Sequence, residues 1–97
     1  MNPYENEEEI VETVVNKVEI WLDNGKKKQT FISGLVFTID VLKEHLKILK
    51  KKVAGNGSIQ ENEENKGHYI IQLQGSHIEI VQKYFTDLGI NNIYIRG

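Results

Sequence analysis

The sequence predicts an α+β fold: a two-layer α/β sandwich in ββαββαβ order, with two helices on one face of a mixed sheet. Three observations predict it. Short alternating apolar and polar stretches come in pairs joined by polar turns, an amphipathic helical stretch follows each pair, and 97 residues can enclose only one modest core. Apolar residues at 39% and charged ones at 27% are the proportions of a folding chain and not of a disordered one.

Residues 1–12 hold Glu5, Glu7, Glu8, Glu9 and Glu12 with no lysine or arginine, and they lack a sustained apolar stripe. They read as an acidic flexible tail, and 13–97 as the domain. From Val14 to Asp23 the chain alternates, with Val18, Ile20 and Leu22 on one side and Lys17, Glu19 and Trp21 on the other, as in a half-buried strand. Asn24-Gly25 tolerates positive φ and a second extended stretch, Gln29 to Leu35, follows, so the pair reads as a hairpin whose tip carries Lys26, Lys27 and Lys28.

Asp40 is the expected N-cap of the first helix, in which Leu42, Leu46, Leu49 and Val53 recur at helical spacing until Gly55 ends the run. The polar side of that helix carries Lys43, Lys47, Lys50 and Lys51. A strand near Gly57 to Gln60, the polar loop Glu61 to Gly67 and a strand from His68 to Gln74 make a second hairpin. Ser76 with Glu79 three residues on reads as a capping box for a helix that turns Ile78, Val81, Phe85 and Leu88 to the core and stops at Gly89. Asn92 to Arg96 is the last strand, with Ile93 and Ile95 inward. This order is related to that of ferredoxin-like sandwiches, and it leaves one sheet face open to a partner.

The net charge of −2 hides an uneven distribution, because residues 13–97 carry twelve basic and nine acidic groups, a formal +3. Lysines cluster at 26–28 and 50–52, a footprint suited to a phosphate backbone. Without cysteine there is no disulfide, thiolate nucleophile or zinc site of the CxxC kind. The N-terminus reads as neither a signal peptide nor a membrane span, which makes a cytoplasmic location the expectation.

Candidate chemistry is sparse. His45, His68 and His77 have no second ligand at i+4, so neither a metal nor a cofactor is expected. His45 has Asp40 and Glu44 near it in sequence, but acid/base catalysis also needs a pocket, and a surface helix residue is the simpler reading. None of Ser33, Ser58 and Ser76 stands in a GxSxG elbow. Gly55-Asn56-Gly57 follows a helix, where a phosphate-cradling loop follows a strand. Tyr69 is the near match to a base-stacking strand aromatic and reads as packing, so single-strand base stacking is not supported.

Three ordered blocks remain: Asn24-Gly25-Lys26-Lys27-Lys28-Gln29-Thr30-Phe31-Ile32-Ser33-Gly34, then Lys47-Ile48-Leu49-Lys50-Lys51-Lys52-Val53-Ala54-Gly55-Asn56-Gly57, then Ile70-Ile71-Gln72-Leu73-Gln74-Gly75. Their succession, over about residues 17–97, resembles the eukaryotic translation initiation factor one family, also called the SUI family. The resemblance implies a monomeric factor, not an enzyme. Such a factor sits on the small ribosomal subunit among other initiation factors and monitors pairing of initiator tRNA with the start codon.

Carried over by position, the resemblance implies ribosomal RNA contacts at Lys26, Lys27, Lys28, Gln29 and Thr30 and at Lys47, Lys50 and Lys51. It implies a loop approaching initiator tRNA at Glu61, Asn62, Glu63, Glu64, Asn65, Lys66 and Gly67, and an effect on start-site stringency at Gln74, Ser76, His77 and Gly97. Ser76-His77-Ile78 stands where the family usually has Asp-Gln-Arg, and Arg96-Gly97 where it usually ends in His-Gly. Two other roles stay open: a SUI-type domain in reinitiation or ribosome recycling, and a ferredoxin-like regulatory module for a small ligand. An acylphosphatase-like enzyme is disfavoured, since its phosphate loop would want an arginine and Arg96 is the only one.

Overall fold

A computed structural model describes residues 17–96. The acidic tail, the first residues of the expected first strand and Gly97 lie outside the described residues. Strands β1 (Val18–Asn24) and β2 (Lys28–Ser33) are followed by helix α1 (Ile39–Val53), strands β3 (Gly57–Glu61) and β4 (Tyr69–Gln74), helix α2 (Ile78–Asp87) and strand β5 (Ile93–Arg96). The ββαββαβ order is therefore the one expected. The sheet runs β3-β4-β2-β1-β5 and is antiparallel except for the β1–β5 pair, which is parallel.

Both helices cover one face. Val18 and Ile20 of β1, Ile32 of β2, Ile71 and Leu73 of β4, Leu42 and Leu49 of α1, and Val81, Tyr84 and Phe85 of α2 form the buried core, with Leu46, Ile59, Ile93 and Ile95 packed against it. Strand alternation accounts for the sheet half of this list, because every second residue faces the helices. In α2 the inward stripe runs through Val81, Tyr84 and Phe85, whereas Leu88 is 49% exposed and not in the core as its spacing suggests. The helix ends at Asp87, and Ile90 returns to the core in its place.

Three helix caps differ from those expected. Helix α1 is capped by Thr38, whose hydroxyl accepts from the Val41 N–H at 3.3 Å, and Asp40 lies in the first turn. Thr and Asp are both good caps, and here the earlier one takes the role while the later carboxylate faces the helix N-terminus. Helix α2 begins after His77 without a side-chain cap, so Ser76 and Glu79 form no capping box. The left-handed residue that closes α1 is Ala54, φ 53°, and not Gly55, whose N–H bonds back to the Lys50 carbonyl at 3.1 Å. Among the described residues positive φ is absent from Asn24 and Gly25 as well. Three residues separate the Asn24–Lys28 pair, and a loop of that length closes without the two-residue mirror-image turn.

Candidate nucleic-acid interface

The expected RNA contacts divide once the chain is folded. Lys26 and Lys27 are exposed in the β1–β2 turn, and Lys28 is the exposed first residue of β2. On α1, Lys43, Lys47, Lys50 and Lys51 follow one another at helical spacing and, with Leu46, Ala54, Gly55 and Asn56, line an open groove of about 500 Å³. Two backbone hydrogen bonds join these regions: the Gln74 N–H donates to the Asn56 carbonyl at 2.9 Å, and the Gly75 N–H to the Lys28 carbonyl at 2.8 Å. Hairpin tip and helix end therefore share one end of the sheet. Among the described residues none of these lysines pairs with a carboxylate, so their fields add outward.

Two residues assigned to that contact do not belong to it equally. Gln29 is half-buried on the uncovered sheet face beside Phe31. Thr30 is fully buried, 0% exposed, and cannot touch RNA. The alternation of β2 explains this: positions 30 and 32 point to the helices. Its hydroxyl donates to the Gly75 carbonyl at 2.7 Å and accepts from the His77 N–H at 3.0 Å.

Gln74 is the last residue of β4, and Ser76 and His77 lie in the turn between β4 and α2. Gly75 takes φ +102° there, and the His77 ring folds over it with Nε2 2.8 Å from the Gln74 carbonyl. The lysine hairpin and this turn are thus neighbours.

The loop from Glu61 to Gly67 is elsewhere. Glu61, the last residue of β3, accepts the Gly67 N–H at 3.2 Å, and the Asn62 side chain accepts the Glu64 N–H at 3.0 Å. Backbone bonds from Asn65 to Asn62 and from His68 to Asn65, both 3.1 Å, tie the loop to itself, with Glu63, Glu64, Asn65 and Lys66 exposed. Register sets the loop apart: Gln29 pairs with Gln74 at the basic end of β4, and Glu61 pairs with Tyr69 at the other. The five-residue offset along β4 is roughly 17 Å, about twice the screening length of roughly 8 Å in physiological salt. The acidic loop therefore does not neutralise the lysines.

The uncovered sheet face carries an aromatic cluster that was not expected from the sequence. Trp21 and Phe31 pair across β1 and β2 with ring centroids 5.5 Å apart and planes 16° apart. Arg96, opposite Trp21 on β5, places its guanidinium carbon 4.2 Å from the centre of the Trp21 ring and forms an ion pair with Glu19. Tyr94 beside them is 62% exposed. Pairing the expected hairpin residue by residue would have brought Trp21 opposite Phe31, but β5 reaches β1 only through the tertiary fold. Tyr69, the aromatic singled out from sequence, packs against the core.

The histidines do not assemble a reactive site. His45 Nδ1 lies 2.6 Å from the Tyr84 hydroxyl between the two helices, beside the ring of Phe37. Burial pushes the His45 imidazole below its ordinary pKa, against a smaller opposing effect of Glu44, and pushes the Tyr84 phenol up. Among the described residues no group of three or more His, Asp or Glu could hold a metal ion, and no helix is long and apolar enough to cross a membrane.

Fold and surface together define a small α/β sandwich with a lysine-lined end suited to a polyanion and a tied acidic loop at the far end. Residues 15–91 match the family model described as Translation initiation factor SUI1. A relative from Thermoplasma volcanium, described as "Protein translation factor SUI1 homolog", is 36% identical over 74 residues, which cover 74% of this chain and 68% of the relative. The chain belongs to the SUI1 family of translation initiation factors.

Proposed function

We propose that this protein binds the small ribosomal subunit and monitors start-codon selection by initiator tRNA. Its subunit contact is to ribosomal RNA, through Lys26, Lys27 and Lys28 and through Lys47, Lys50 and Lys51. The observation that carries this reading is the gathering of the hairpin tip and the α1 groove at one end of the sheet, with the acidic loop at the other. Exposed lysines attach to phosphates by releasing counterions, which gives sequence-independent, salt-sensitive docking on structured RNA. Docked by its basic end, the molecule holds Glu61, Glu63 and Glu64 away from that contact, where like charge disfavours full accommodation of tRNA until codon pairing compensates. It works in the cytoplasm, alongside other initiation factors and without catalysing a step.

The test is co-sedimentation with small subunits, with and without partner initiation factors. Replacing Lys26, Lys27 and Lys28 by Ala is expected to weaken binding about tenfold or more and to flatten the dependence of log K on log salt by about two to three. Thermal stability should stay within about 0.5 kcal/mol of the parent, because the three side chains are exposed. Equal affinity in the triple variant would remove the proposed contact.

A further inference from the structure

Thr30 is the buried polar side chain of the core, among the described residues, and its two hydrogen bonds go to one place. Valine has nearly the same shape and would suit a core-facing strand position. A hydroxyl there is costly unless it is partnered, so its partners show what it holds. It reaches 45 residues along the chain to the Gly75 carbonyl and 47 to the His77 N–H.

The β2–β4 ladder reaches its last strand pair at Gln29 and Gln74. At the next residue the chain turns off with φ +102°, a conformation that glycine adopts readily and other residues do not. From there three bonds continue the connection to β2: the Gly75 N–H to the Lys28 carbonyl, and the two made by the Thr30 hydroxyl. The His77 imidazole closes over the turn and fills the space a Cβ on Gly75 would need. His77 is also the residue from which α2 starts. One hydroxyl therefore ties the strand that begins at Lys28 to the turn carrying Gln74, Ser76 and His77 and to the start of α2.

We propose that the Thr30 hydroxyl is a positioning group for start-site discrimination: it locks the Gln74–His77 turn to the lysine hairpin, so that docking of the hairpin fixes where the turn stands. This rests on the subunit-binding and codon-monitoring reading above, and on the effect on start-site stringency that the family resemblance implies for Gln74, Ser76 and His77. Thr30 itself touches no RNA and acts through the turn, which distinguishes it from the lysines two to four residues before it.

The test uses the full chain and two variants, Thr30→Val, which keeps the shape and removes the hydroxyl, and Thr30→Ser, which keeps the hydroxyl. In the free protein, exchange of the Gly75 and His77 amides should speed up about tenfold or more in Thr30→Val and stay near parental in Thr30→Ser. In a reconstituted initiation assay at saturating factor, Thr30→Val should change the ratio of near-cognate to AUG initiation several-fold. Its subunit affinity should stay within about threefold of the parent, with Thr30→Ser restoring the parental ratio.

Parental exchange at His77 in the valine variant would overturn the lock. So would a changed codon ratio that serine fails to restore, since that would assign the effect to methyl packing. Faster exchange with an unchanged codon ratio would overturn the positioning role. If Thr30→Val does not fold, the parent decides: its Gly75 and His77 amides must be protected together with those of β2, and exchange as fast as at the exposed Glu63 would end the proposal. A parent that neither sediments with subunits nor alters codon choice refutes the function reading instead, a failure visible without any Thr30 variant.

Discussion

Replacing Gly57 by Ala tests how closely α1 is seated on the sheet. Gly57 opens β3 opposite Leu73, on the side facing the helices. A Cβ there would stand 2.5 Å from the Gln72 carbonyl oxygen, 2.8 Å from Leu73 Cδ2 and 3.0 Å from Leu46 Cδ1. The leucine methyls can swing aside, but the carbonyl belongs to the backbone of β4. Reaching an ordinary contact near 3.4 Å would require β3 to move by roughly 0.9 Å relative to β4. Overpacking of this kind costs about 1–3 kcal/mol, offset by about 0.4–1 kcal/mol from the stiffer unfolded chain. The net is about 1–2 kcal/mol. At about 4–8 °C per kcal/mol for a domain of this size, the melting midpoint should fall by roughly 4–16 °C.

Gly25→Ala is the matched control, because its Cβ would meet nothing closer than the Asp23 Oδ1 at 3.7 Å and its φ is not in the left-handed region. It should melt at or slightly above the parent. Thermal unfolding of the full chain, followed by far-UV circular dichroism, reads both. A Gly57→Ala protein that melts with the parent, or a Gly25→Ala protein that falls as far, would refute the close-approach argument.

Three further outcomes follow from the observed contacts. Thr38→Ala should cost about 1 kcal/mol by removing the cap of α1, while Ser76→Ala stays within about 0.5 kcal/mol, and a reversal of that order in urea unfolding would restore the capping box. Because burial lowers the His45 pKa in the folded state, the folded protein binds fewer protons than the unfolded chain around and below pH 6.5. The His45 contribution is therefore fully present above that pH and declines as pH falls toward the folded value. Urea midpoints between pH 7.5 and 5.5 should drop less steeply in His45→Gln, and parallel slopes would contradict this. Changing Glu61, Glu63 and Glu64 to Gln keeps an acceptor for the Gly67 N–H, so subunit affinity should hold while near-cognate initiation rises; unchanged codon discrimination at unchanged affinity would separate the loop from tRNA.

The order of elements was legible in the sequence, because alternation and helical spacing are local properties: Val18, Ile20, Ile71 and Leu73 stand inward as their period requires. The sequence also showed the two lysine runs and the acidic loop, and its three ordered blocks carried the family resemblance. Choices between nearby equivalents were less legible. Thr38 and Asp40 both suit a cap, and Tyr84 and Leu88 both suit an inward stripe, so the entry of the chain and the end of the helix decided between them.

The remaining features arise where segments far apart in the chain meet. The lysines of the hairpin and of α1 share one end of the sheet because the Asn56, Lys28 and Gly75 backbones meet there. Arg96 caps Trp21 because β5 returns parallel to β1. Thr30, which the family resemblance implies as an RNA contact, lies inside because the strand's inward face includes position 30, and its hydroxyl is satisfied there only through Gly75 and His77. A strand's period says that every second residue points the same way; which polar group waits on that side is set by a partner strand that local sequence does not contain.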